Sequence, residues 1–277
     1  MLEQLADSLL SLLPFLAFGY GMLTARYVLV AGLAALVFYG WRRERRIASK
    51  IQPRWPRPSD YRREIGYSML TSGVFIAVAL LTHRGLLREY SLIYGDVGAH
   101  GWAWFALSLG IVLVFHDAYF YWAHRAMHHP RLYRAVHLVH HRSTNPTPWA
   151  AFAFHPIEAV FEALPIVAIS FLIPVHFGVL ALSMLIMTVY NVYGHLGWEL
   201  YPKGFARHPI GRFINTSISH NYHHEKARDN YGLYFLWWDR WFGTLDPEYE
   251  ARFERVAERD GEHEHEREPA PANPATA

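Results

Sequence analysis

"HDAYFYWAHRAMHH", residues 116–129, puts four histidines in fourteen residues at the end of an apolar run that starts at Gly101. A single histidine there would be an ordinary interfacial residue. Fourteen of the eighteen histidines, however, lie between His116 and His224, and three sets repeat at helical spacing. "HRAMH" supplies His124 and His128, "HLVHH" supplies His137, His140 and His141, and "HNYHH" supplies His220, His223 and His224. On an α-helix, positions i, i+3 and i+4 fall within an arc of about 100°, so each set can aim its imidazoles at one point. At this histidine content a random chain holds about 0.07 copies of HxxHH, so two copies carry information, whereas one HxxxH does not.

There is no cysteine, which excludes disulfides and thiolate ligands and leaves nitrogen or oxygen to hold a metal. Imidazole suits iron, zinc, copper or nickel. Eight histidines exceed what one tetrahedral or octahedral ion accepts, so the spacing predicts a binuclear site, a known catalytic arrangement. The net charge of +2 gives no footprint for nucleic acid.

Outward from the histidines, the composition is 52% hydrophobic and only 18% charged, against a usual charged fraction near 25%. Residues 21–41, 66–82 and 101–123 read as membrane spans, with Arg26 snorkelling from near the start of the first. Residues 157–194 have length for two passes that bend at Pro174, while 8–20 is too short to span alone and reads as interfacial or half a hairpin. Nine basic residues between Arg42 and Arg63, Lys50 among them, against Arg84 and Arg88 in the next loop, place 42–65 in the cytoplasm. Threading from there brings the segments around 124–141, 195 and 220–224 to the same side. Buried helices of a soluble protein are the competing reading. The expected fold is therefore all-α and integral to the membrane, with about four transmembrane helices and a cytoplasmic histidine-rich cap holding a dimetal site. Residues 1–99 form the N-terminal part, 100–249 the catalytic domain, and 250–277 a charged tail expected to be disordered beyond Asp260, where His263 and His265 sit among glutamates.

The three boxes, with "HHRSTNPTPWAAFAFHPIEA" and "NYGLYFLWWDRWFGT" around them, resemble the fatty acid hydroxylase / sterol desaturase superfamily of integral-membrane diiron oxygenases, the sterol C5-desaturase-like branch in particular. The likeness covers about residues 100 to 246. It implies that the eight box histidines ligate two irons, joined by His195 in "NVYGH". It also implies O2 as co-substrate, a hydroxylated or desaturated membrane lipid as product, and electrons from NAD(P)H through a separate ferredoxin or cytochrome b5-type carrier with its reductase. No dinucleotide or haem motif is recognisable in the chain. His129 is a further ligand or a hydrogen-bond donor, His155 a helix cap or a support to the site, and His116 either faces the site or pairs with Asp117. Asp117, Glu158, Asn191 and Asp229 are expected to partner imidazole N–H groups. Two other classes stay open at this stage. A metal transporter would carry its histidines in mid-span, and a zinc-stabilised non-catalytic scaffold would use eight nitrogens for two tetrahedral ions.

Overall fold

The computed structural model describes residues 2–41, 47 and 49–265. Much of the basic run, Arg42 to Arg46, and the end of the tail lie outside the described residues. Among the described residues, four helical segments are long and apolar enough to cross a bilayer: Leu12–Gly40, Pro58–His83, Gly101–Met127 and Phe177–Gly194. The first belongs to α1 (Leu2–Ala35) and a π-helical turn, Leu36–Gly40. Residues 8–20 are thus not half a hairpin but part of one continuous helix with the residues that follow, carrying Pro14 inside it. Gly19 and Gly21 at the junction do not break the helix, and in lipid a helix is the way a segment satisfies its own backbone groups. This moves Arg26 from the start of the span to its middle, where its Nε has no hydrogen-bond partner. Gly19 lets α1 approach α2 (Pro58–Leu80) closely, since a Cβ there would lie 2.7 Å from Ile76 Cδ1.

α3 (Gly101–Met127) carries the first box, and α4 (Pro130–Val136) and α5 (Leu138–His141) the second. The expected double pass over 157–194 is α6 (Pro156–Leu172) and α7 (Phe177–Gly194). α6 has 17 residues and α7 has 18, about 25 and 27 Å of helix, and α6 runs from Glu158 beside His137 to Ser170 beside His83 at the opposite end of the bundle. Between them β2 (Val175–His176) pairs in parallel with β1 (Ile93–Tyr94), and His83 Nε2 meets Ser170 Oγ at 2.8 Å. These contacts tie the end of the bundle away from the histidines.

At the other end, a cap follows α7. It contains α8 (Ser217–Lys226), α9 (Trp237–Trp241) and α10 (Tyr249–His265), around a core of Ile218, Leu236, Tyr249, Phe253 and Val256. The chain beyond 250 is therefore not simply a tail. α10 buries Phe253 and Val256 and stays helical past Asp260 to His265. The charge that suggested disorder sits around two apolar positions three residues apart, which is the pattern of one buried helix face.

Candidate metal centre

Nine imidazoles converge at the cap end of the bundle. His124 lies in the last turn of α3 and His128 caps it, His137 joins α4 to α5, and His195 caps α7. Two sets result: His124, His128, His137, His141 and His223 in one, and His140, His195, His220 and His224 in the other. Within each set the nitrogens lie within 4.8 Å of one another. The HxxHH triplets do not aim at one point each, as their spacing suggested; each divides between the two sets. The i, i+4 partners His137 and His141 stay together, as do His220 and His224, while the third histidine of each triplet points to the other set. Residues four apart differ by about 40° around a helix, and adjacent ones by about 100°.

Five of the nine donate Nδ1–H to a backbone carbonyl, which can only accept: His124 to Tyr231 (3.0 Å), His128 to Ala227 (3.0 Å), His195 to Asn191 (2.7 Å), His223 to Asp229 (2.6 Å) and His224 to Ser143 (3.1 Å). His137 Nδ1 meets Glu158 Oε1 at 2.6 Å. Each of these rings therefore presents a bare lone pair on Nε2. His124 and His137 bring two such lone pairs to 3.1 Å, a contact that repels unless a cation lies between them. Nε2–Nε2 distances are 3.0–3.1 Å in the five-histidine set and 3.2–3.4 Å in the four-histidine set. Nitrogens about 2.1 Å from one ion stand about 3.0 Å apart along an octahedral edge and about 3.4 Å apart along a tetrahedral one. The donor set fits two metal ions.

Burial keeps these rings in the ligating form. Desolvation, helped by neighbouring imidazoles, lowers the pKa values of His137, His140, His141, His220, His223 and His224 well below 6.5. His128 falls to about 3 and His195 to about 4, chiefly by burial. The acceptor carbonyls depend on an unusual turn after α8. Ala227, Asp229 and Asn230 all have positive φ (52°, 60° and 56°), strain that turns the carbonyls of 227 and 229 back onto His128 and His223.

The other expected site residues separate. Glu158 supports an imidazole with its side chain. Asn191 and Asp229 do so through backbone carbonyls only; the Asn191 amide donates to Ala151 O at 2.6 Å, and the Asp229 carboxylate faces Arg228. Asp117 partners no imidazole. It accepts from the Tyr234 and Phe235 N–H groups and from Trp238 Nε1 (2.7, 3.3 and 2.9 Å), and so pins the cap to α3. His116 bonds to the Tyr234 hydroxyl at 3.0 Å rather than to Asp117. His129 and His155 are helix N-caps, each accepting a backbone N–H at 3.3 Å, and neither joins the two sets.

The sequence pointed to neither the carbonyl acceptors nor a brace from the loop after α1. There Lys50 is fully buried, with Nζ 2.6 Å from Asn145 Oδ1, and Gln52 Nε2 bonds to Thr144 O and Asn221 Oδ1. Burial lowers the Lys50 pKa to about 7, so this residue, counted among the exposed basic ones, belongs to the interior. Gly197 (φ 81°) makes room for it, with Lys50 Nζ 3.1 Å from where a Cβ would stand.

Comparison with known proteins adds the lineage. Residues 109–244 match the family model described as "Fatty acid hydroxylase". A "Delta(7)-sterol 5(6)-desaturase erg3C" of Aspergillus fumigatus is 32% identical over 217 residues, 70% of this chain and 68% of that protein. The chain belongs to the fatty acid hydroxylase family. Within that family it is also similar to "Delta(7)-sterol 5(6)-desaturase ERG3B" of Gibberella zeae, 32% identical over 73% of this chain and 65% of the relative. Lathosterol oxidase of Rattus norvegicus is 37% identical over 57% of this chain and 52% of its own length. The chain thus spans about half to two thirds of the length of these fatty acid hydroxylase family relatives. No solved structure matches it.

Proposed function

We propose that the protein oxidises a C–H bond of a sterol-like membrane lipid, by desaturation or hydroxylation, with O2 as co-substrate, at two irons held by the nine histidines. The observation that carries this reading is the convergence of bare Nε2 lone pairs in two adjoining sets at the end of a membrane bundle. Bound iron would supply O2 activation and removal of hydrogen from an unactivated carbon. The chain's part is to hold the ligands neutral and oriented, to exclude water and to admit an oily substrate. The similarity to sterol desaturases and lathosterol oxidases supports a sterol-like substrate.

Access from the bilayer fits a groove of about 570 Å³ between α3, α4 and α6, lined by Phe115, Tyr119, Trp122, Leu132 and Phe161 among others. Its size suits a single lipid. For electrons from a separate carrier, a polar groove of about 300 Å³ lined by Arg54, Arg57, Arg142 and Ser143 offers entry. Ser143 also accepts from His224, so the groove floor is one hydrogen bond from the four-histidine set. With the basic loop beside this groove, the cytoplasm is the side we assign to the histidines.

The test supplies the purified protein with a Δ7-sterol, NAD(P)H, a reductase and a carrier, and analyses products by mass spectrometry. Loss of two hydrogens identifies a desaturase and gain of one oxygen a hydroxylase. No O2- and reductant-dependent product from any sterol, acyl or other isoprenoid lipid would contradict the proposal. Two zinc ions with no redox chemistry would instead support the scaffold.

A further inference from the structure

The two histidine sets take their support from different parts of the chain. In the five-histidine set, His137 donates Nδ1–H to Glu158, and His128, His223 and His124 donate to the carbonyls of Ala227, Asp229 and Tyr231. In the four-histidine set, His195 donates to Asn191 O on its own helix and His224 to Ser143 O. That second set is embraced by a segment outside the family match at 109–244. Lys50, Ile51 and Gln52 are all buried. Lys50 Nζ donates to Asn145 Oδ1 (2.6 Å), Ile51 N to Gly197 O (2.9 Å), and Gln52 Nε2 to Thr144 O and Asn221 Oδ1 (both 2.8 Å). Thr144 and Asn145 directly follow the Ser143 carbonyl that holds His224, Gly197 follows His195 in the turn after α7, and Asn221 follows His220 on α8. Arg54 occupies Gln52 Oε1 (2.9 Å from Nη2), so the Gln52 amide is fixed with both N–H groups committed to its two acceptors. Ile51 packs into the cap core beside Ile218 of α8. Among the described residues, none of these bonds reaches α3, α4 or the 227–231 turn.

We propose that Lys50 and Gln52 are positioning residues for one of the two metal ions, the one held by His140, His195, His220 and His224. The inference rests on the dimetal part of the reading above and goes beyond it, because it gives the loop after α1 a task at one ion only. The four ligands come from three elements, α5, the end of α7 and α8. The 50–52 segment bonds to the loop after α5, to the turn after α7 and to α8 itself, so it fixes the three relative to one another. Ligand geometry is set by such outer contacts as well as by the ligands. α8 also carries His223 of the other set, but there Glu158 and the 227–231 carbonyls orient the imidazoles without help from the segment. Removing the Gln52 amide would leave Thr144 O and Asn221 Oδ1 buried and unpaired, which favours relaxation of the loop and of α8 away from the four-histidine geometry.

The experiment titrates cobalt(II) into the metal-free, full-length protein in lipid nanodiscs, reading the ligand-field bands and the affinity of each ion against a chelator. Wild type is expected to take two ions per chain. In Gln52→Leu one ion keeps its wild-type affinity and the other binds about 10- to 100-fold more weakly. Lys50→Met should shift the same ion in the same direction, and it carries the test if the leucine variant fails to fold. Ligand variants then say which ion moves. With the four-histidine set already broken by His195→Ala, adding Gln52→Leu should leave the remaining ion unchanged. With the five-histidine set broken by His124→Ala, adding Gln52→Leu should weaken the remaining ion. Equal weakening of both ions, which a merely structural role would give, overturns the proposal, as does the reverse pattern in the two backgrounds. Two ions in the wild type with no change in Gln52→Leu and Lys50→Met contradict the positioning role alone. Fewer than two ions in the wild type contradict the dimetal reading on which it rests.

Discussion

His137 donates its Nδ1 proton to Glu158 Oε1 across 2.6 Å while its Nε2 faces that of His124 at 3.1 Å. With Nδ1 as the donor in the first contact, the second brings two Nε2 lone pairs together, an arrangement that suits a cation between them. Among the described residues, Glu158 is thus the one carboxylate whose side chain orients an imidazole of the two sets, and its Oε2 has no hydrogen-bond partner.

Replacing Glu158 by Leu should weaken metal binding about 10- to 100-fold, measured as iron retained against a competing chelator. Asp229→Asn should retain wild-type affinity, since only its backbone carbonyl supports His223. Equal losses in the two variants would contradict this division of roles.

Removal of ligands should have a sharper effect. His140→Ala and His223→Ala are each expected to abolish activity and lower metal occupancy, because each takes a nitrogen from one set. His155→Ala should lose about 1 kcal/mol of stability as a lost cap and keep its metal. His263→Ala should change neither activity nor metal content. Elemental analysis of the purified variants checks all four.

Acid should destabilise the metal-free protein. The ligand imidazoles titrate below their unfolded value of 6.5, His195 near 4 and His128 near 3. The unfolded chain therefore binds more protons in that window. Stability is fully present above pH 6.5 and is lost as pH falls towards 4. Thermal midpoints of apo protein from pH 7.5 to 4.5 should fall steadily, and a flat profile would contradict neutral burial.

Carrier-driven turnover should depend on the basic groove. Arg142→Glu is expected to raise the KM for an acidic carrier several-fold at low salt, an effect that fades with ionic strength. Turnover driven by dithionite should stay unchanged. If both reductants lose efficiency equally, the groove is not the docking surface.

The boxes were legible because ligands must recur at helical spacing, and the spans because lipid demands long apolar helices. The division of each triplet was not legible, since it follows from the angle between His140 and His141 relative to two imidazole clusters that only the packed helices define. Nor was the identity of the supporting groups. Carbonyls are present at every residue, and the left-handed turn at Ala227 has no glycine to announce it, although Asp229 and Asn230 tolerate such φ values. Lys50 looked like one more basic loop residue, because burial beside Asn145 depends on a contact 95 positions away. The tail was misjudged because its charge outweighed two apolar residues, Phe253 and Val256, that find a core only once α8 is in place.

The most direct test of the account is the metal content of the full-length protein, by elemental analysis with Mössbauer spectroscopy on iron-57-enriched material. The account predicts about two irons per chain in a coupled pair, with histidine nitrogen as the dominant ligand. Two zinc ions and no iron, even after anaerobic iron loading, or a single mononuclear iron, would contradict it.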